Sequence, residues 1–149
     1  MNLKITPFPI GARPSVPQPD LNIYNYLGEE GLRLLVSNHY DLLVESTIKH
    51  LFPPKGKSLD LAKKNSADFF VQRFGGPNYY DVNRGKPMLT KRHEPFAINY
   101  HAREVWLDCY RQLLPNLQMP QDLIISYWQF LDIFSIWMVN THDANINLD

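Results

Sequence analysis

Prolines decide where this chain can be regular. Twelve of them are spread through 149 residues, and five, Pro7, Pro9, Pro14, Pro17 and Pro19, crowd into the first twenty. Proline has no backbone N–H and a fixed φ, so that density blocks both helical and ladder hydrogen bonding. Residues 1–20 are therefore read as an extended arm, either mobile or laid over the remainder. The other prolines, Pro53, Pro54, Pro77, Pro87, Pro95, Pro115 and Pro120, fall between segments whose apolar residues recur at helical spacing.

From Gly28 to His50, the residues Leu32, Leu35, Val36, Tyr40, Leu43, Val44 and Ile48 recur at three and four, which predicts one long or two abutting helices. After Phe52-Pro53-Pro54, Ser58 is placed to cap a helix that carries Leu59, Ala62, Ser66, Phe69 and Phe70 on one side and stops at Gly75-Gly76-Pro77. A punctuated connection runs from Asn78 to Pro87, and a short segment from Met88 to Glu94 is closed by Pro95. Asn99 caps a helix through Leu114, and a last helix is predicted from Gln121 to about Thr141. No stretch alternates convincingly with period two and no repeat is present, so the chain reads as all-α.

The charges balance at fifteen against fifteen with a pI of about 7.0. A neutral chain without a basic stripe is poorly suited to binding nucleic acid or an anionic membrane. The single cysteine, Cys109, excludes an intrachain disulfide and a cysteine metal cluster, and favours a reducing compartment. The N-terminus lacks the apolar run and cleavage site of a signal peptide, which points to a cytoplasmic protein. The most apolar stretch, Leu123 to Val139, is broken by Gln129 and Asp132 and is shorter than the roughly 20 residues a spanning helix needs. With Asp122, Ser126, Gln129 and Asn140 on one side, it reads as a buried helix with a wide core-facing stripe.

Of the five histidines, no pair forms HExxH, and no nucleophile elbow supports a serine triad. Gly75-Gly76-Pro77 lacks the GK[ST] of a phosphate cradle and reads as a helix stop. His93 stands at a helix end before Glu94-Pro95-Phe96, with Met88, Leu89, Phe96 and Ile98 close in sequence. A helix end beside a proline offers unpaired carbonyls to a ring nitrogen, and apolar neighbours suit a haem wall. On pattern alone His93 is either a metal ligand or a solvent-facing capping residue.

Several spaced motifs in one order go further. They are Gly75-Gly76-Pro77, Tyr80, Gly85-Lys86-Pro87-Met88-Leu89, Arg92-His93-Glu94-Pro95-Phe96-Ala97-Ile98, and Arg103-Glu104-Val105-Trp106-Leu107-Asp108-Cys109, with Gly28-Glu29-Glu30-Gly31-Leu32 and His39-Tyr40 upstream. Together they resemble the signature of the group II truncated globins over roughly Tyr26 to Met138. The resemblance implies a 2-over-2 helical sandwich over residues 21–149, preceded by the proline-rich arm of 1–20. It implies haem b with His93 as iron ligand, contacted by Phe52, Met88, Leu89, Phe96, Ile98 and Trp106, with Arg92 and Tyr80 toward the propionates. Tyr40 and Trp106 would be the hydrogen-bond donors to a diatomic ligand, with Ser66 and Ala62 facing the same space. Many members carry tyrosine or histidine at the position of Phe52, and the loop of residues 53–58 is longer than usual. Without the resemblance, Tyr40, Phe52 and Trp106 read as core aromatics.

The function implied is reversible binding of O2 or another diatomic gas at a five-coordinate ferrous haem. The alternative is a haem-dependent redox enzyme, peroxidase-like or detoxifying nitric oxide, which needs an external electron-donor reductase. A homodimer is compatible with either. A globin-like module that has lost haem is disfavoured by the presence of His93 with Tyr40 and Trp106.

Overall fold

The computed structural model describes residues 1–143; the last six residues of the domain read as 21–149 lie outside the described residues. Six α-helices follow in order: α1 (Asn22–Leu43), α2 (Lys57–Arg73), α3 (Tyr79–Arg84), α4 (Leu89–His93), α5 (Tyr100–Leu113) and α6 (Gln121–Ile136). Among the described residues there is no strand, as the absence of period-two alternation requires, and no helix is long and apolar enough to cross a membrane. Helix α1 packs on α2, α5 packs on α6, and α1 also crosses onto α5 and α6. Two helix pairs laid over each other give the expected two-over-two sandwich.

The apolar stripes read from the sequence are the surfaces that meet. Leu32, Leu35 and Val36 of α1 join Phe70, Val71 and Phe74 at the end of α2, Leu107 and Tyr110 of α5, and Tyr127, Phe130 and Leu131 of α6 in one buried cluster. Each such side chain contributes about 1.5–3 kcal/mol by leaving water. Packing of this kind holds helices that their isolated propensities would not.

Helix boundaries depart from the sequence reading where side chains or glycines find better partners. Helix α1 starts earlier, at Asn22, bends at Gly28 where φ is 64°, and ends at Leu43, leaving a 3₁₀ turn at Lys49–Leu51. Ser58 does not cap α2; the helix starts one residue before it, at Lys57, because Gly56 at φ 130° turns the chain into it. The six-residue α3 lies in the segment read as an irregular connection, where Tyr80 is buried in the core and Gly85 ends the helix. Asn99 caps α5 as expected, accepting from the Ala102 N–H at 2.8 Å. Helix α6 stops at Ile136, short of Thr141, because Asn140 turns to pair with Ile98.

Helix α2 ends in a paired glycine stop. Gly75 takes φ 101°, and the Gly76 N–H reaches back to the Val71 carbonyl at 2.8 Å, a bond that satisfies a carbonyl of the last turn. A Cβ on Gly76 would lie 2.7 Å from both the Tyr24 ring and the Val71 side chain.

Residues 1–20 form neither helix nor strand and lie along α5 and α6 as a strap. Leu3 O accepts from Arg111, Lys4 O from the Trp128 indole, Phe8 O from Tyr100 and Pro14 O from the Trp137 indole.

Candidate functional site

Helices α1, α2, α5 and α6 and the loops around α4 enclose a cavity of about 300 Å³. Tyr40 from the last turn of α1, Ala62 from α2, Trp106 from α5 and Phe52 after the 3₁₀ turn all line it, together with His93, Phe96 and Ile98. The Tyr40 and Phe52 rings meet edge to face, with centroids 5.7 Å apart. Burial pushes the Tyr40 phenol up from its ordinary pKa of 10.0, against a hydrogen bond with Ser66 that works the other way. At neutral pH Tyr40 therefore keeps its proton and remains a donor.

His93 closes α4 and turns its Nδ1 to the Leu89 carbonyl oxygen, 2.5 Å away. That oxygen can only accept, so Nδ1 carries the proton and Nε2 keeps its lone pair for a metal. The segment behind His93 is pinned by Asn140, four residues past the end of α6: its amide donates to Phe96 O at 2.9 Å and to His93 O at 3.4 Å, and its oxygen accepts from the Ile98 N–H at 2.9 Å. A bare transition-metal ion needs about four protein ligands. Among the described residues no group of three or more His, Cys, Asp or Glu side chains could hold one. One free imidazole in an apolar cavity fits a metal that brings its other ligands in a flat, hydrophobic macrocycle, as haem does.

Five of the residues singled out from the sequence are not among those lining this cavity. Ser66 lies on α2 one turn beyond Ala62. Met88 and Leu89 line an adjoining groove with Phe69 and share Phe134 and Met138 with the cavity. Tyr80 is buried against Phe69, at 5.8 Å between centroids, with the Arg92 guanidinium 6.0 Å from its ring. Arg92 donates to Arg84 O at 3.0 Å and lines a separate polar recess with Lys64, Asn65, Asn83 and Arg84.

His39, adjacent to Tyr40, faces the other way. It is buried, stacks on Tyr110 at 3.7 Å and donates from Nε2 to the Trp106 carbonyl at 2.9 Å. Burial lowers its pKa from 6.5 to about 3, so it is neutral and fixes α1 to the backbone of Trp106. With its ring between Tyr110 and Trp106, it is no substitute for His93 in the cavity.

The structure adds residues to the site. Phe134, Ser135 and Met138 of the α6 segment, Ala102 and Arg103 of α5, and Ile48 and Leu51 also line the cavity. Arg103 is buried and ion-paired to Asp132 at 2.6 Å. Asp132 inside an apolar helix was the available signal, since a buried carboxylate requires a partner. Nothing in the local pattern names Asn140.

Comparisons with known proteins show the family to which this fold belongs. A family model of bacterial-like globins matches residues 22–140. The group 2 truncated hemoglobin YjbI of Bacillus subtilis is 29% identical over 122 residues, which are 81% of this chain and 90% of the relative. The crystal structure of phosphate-bound Hell's gate globin IV aligns with a TM-score of 0.84 and 37% identity, covering 93% of this chain and 87% of that one. The X-ray structure of a truncated oxygen-avid haemoglobin from Bacillus subtilis aligns with a TM-score of 0.71 and 29% identity, covering 78% of this chain and 98% of that one.

Proposed function

The chain belongs to the bacterial-like globins, in their group II truncated branch, and from that premise we propose that it binds haem b through His93 and a diatomic gas, foremost O2, in the cavity shared with Tyr40 and Trp106. The observation that carries this reading is the placement of His93, with Nδ1 held by Leu89 O, in the same cavity as Tyr40 and Trp106.

When bound, the haem would supply an iron that can take up a diatomic gas. The side chains around it do the rest. Among the described residues His93 is the one imidazole that lines the cavity, so no second histidine there would compete with a gas for the iron. Tyr40 donates its O–H, kept protonated by burial, and Trp106 its indole N–H. In an apolar enclosure such donors hold a ligand with partial negative charge far better than a nonpolar one, which favours O2 over carbon monoxide. Phe52 and Phe96 supply aromatic surface to the macrocycle and Ala62 keeps the far side uncrowded. Haem b rather than a covalently attached haem fits a chain whose one cysteine, Cys109, is buried and does not line the cavity. The oxygen-avid character of the Bacillus subtilis relative agrees with a pocket of two donors.

The test is an absorption spectrum of the purified protein in ferric, ferrous and CO-bound forms. A five-coordinate ferrous spectrum that converts fully with CO is expected. Protein that takes up no haem, or a six-coordinate ferrous spectrum, would overturn the reading.

A further inference from the structure

We propose that the N-terminal strap is a working part of the haem pocket, with Thr6 as the residue that positions its α5–α6 wall. The inference rests on the haem reading above. The strap lies outside the segment that matches the globin family, which begins at residue 22.

Arg103 and Ser135 both line the cavity, and Arg103 with Asp132 forms an ion pair whose side chains are 6% and 8% exposed. Four guanidinium bonds hold Arg103: Nε to Ser135 Oγ at 2.9 Å, Nη2 to Asp132 O at 2.8 Å and to Oδ1 at 2.6 Å, and Nη1 to Thr6 O at 2.8 Å. Thr6 also serves the acid, donating its backbone N–H to Oδ1 at 2.9 Å and its hydroxyl to Oδ2 at 2.6 Å. One strap residue thus contacts both charges with three bonds. Helix α5 carries Trp106 one turn beyond Arg103.

A buried pair survives only while its remaining donors and acceptors are satisfied. When the strap lifts away, Asp132 Oδ2 loses its Thr6 partner and Arg103 Nη1 its acceptor. Water must then reach the pair, and the pair forms the wall that Arg103 and Ser135 share with the cavity. A hydrated wall loosens the fit of an apolar macrocycle. Linkage makes the effect mutual: whatever strap docking adds to haem affinity, haem adds to strap docking.

The experiment follows haemin transfer from the loaded protein to excess apomyoglobin, in wild type, Thr6→Val, Thr6→Ser and a deletion of residues 1–14. Thr6→Val should release haemin about fivefold faster and the deletion faster still, within the ~5–150-fold span usual for coupled sites. Thr6→Ser, which keeps the hydroxyl, should return the rate to that of wild type. In parallel, haemin should slow tryptic cleavage of the Lys4–Ile5 bond, whose carbonyl is held by Trp128 in the docked strap, since slow cleavage reports the open population. Thr6→Val decides the matter alone if the deletion does not fold. Wild-type release rates for Thr6→Val, or cleavage indifferent to haemin, overturn the strap's role while leaving the haem reading intact. A wild type that takes up no haemin overturns both.

Discussion

Tyr40 and Trp106 stand on helices of 22 and 14 residues, whereas His93 ends a helix of five. The long helices carry core residues on either side of the donors: Val36, His39 and Leu43 near Tyr40, Leu107, Cys109 and Tyr110 near Trp106. Helix α4 buries none of its residues, and Phe96 after it is 46% exposed. The wall of Tyr40 and Trp106 therefore takes its geometry from the core, and His39 locks its two helices together through the Trp106 carbonyl. The wall of His93 depends on local hydrogen bonds, from Leu89 within α4 and from Asn140 just past the end of α6. Few buried contacts mean low local stability, so the residue proposed to hold the iron sits on the less rigid wall of the cavity.

That contrast is open to attack at both walls. The largest expected effect is from His93→Ala, which should abolish specific haem binding. Full occupancy with an unchanged ferrous spectrum would remove His93 from its role. Next come the donors. A hydrogen bond to a charged acceptor contributes roughly 1.5–3 kcal/mol, so Tyr40→Phe and Trp106→Phe should each speed O2 release about ten- to a hundredfold if the loss falls on dissociation. Carbon monoxide release, measured by the same stopped-flow method, should change far less. Equal acceleration of both gases would mean a steric change, and the double variant should be less than additive because the donors share one acceptor.

His39 gives a smaller effect with a defined pH window. Its folded pKa, about 3, lies below its ordinary 6.5, so the unfolded chain takes up the proton first as pH falls. The stability it contributes is complete above pH 6.5 and is lost on descending toward 3. Between pH 7 and 5.5 the loss should be about 1 kcal/mol, from the limiting slope of 1.36 kcal/mol per pH unit. Urea unfolding of haem-loaded wild type and His39→Phe at the two pH values checks this; identical pH dependence in both would refute it. The smallest effect is at Asn140. Its replacement by Ala removes three solvent-exposed side-chain bonds, which should together cost only about 0.5 kcal/mol, the low end for hydrogen bonds, and should raise amide exchange at Phe96 and Ile98 without altering exchange in α5. Equal changes in both segments would show that the two walls are not separable.

What could be read without coordinates follows the same division. The α5 cap at Asn99 and the helix stop at Gly75 announce themselves through residue type and spacing, because both devices are local. The all-helical class follows from periodicity, and Tyr40, Phe52, Ala62, His93 and Trp106 came together through the order of the family's motifs. Tyr80 shows what a motif leaves out: its place in the sequence does not announce the six-residue helix that carries it or its packing against Phe69. Asp132 looked like an interruption of an apolar helix because its partners, Arg103 and Thr6, are 29 and 126 residues away in sequence. The path of a proline-rich arm is likewise set by the indoles and guanidinia it happens to lie over, not by its own composition.

The glycine pair at the end of α2 carries a consequence for how such a chain can vary. The two neighbours are irreplaceable for unrelated reasons: at 75 a side chain would strain the backbone itself, at φ 101°, whereas at 76 it would collide with Tyr24 and Val71. The first constraint is private to its own position, and no change elsewhere relieves it. The second is a contract with α1, and a smaller residue in place of Tyr24 would help to release it. Substitutions at 76 should therefore travel with substitutions at 24 and 71 together, while position 75 stays fixed whatever its surroundings do.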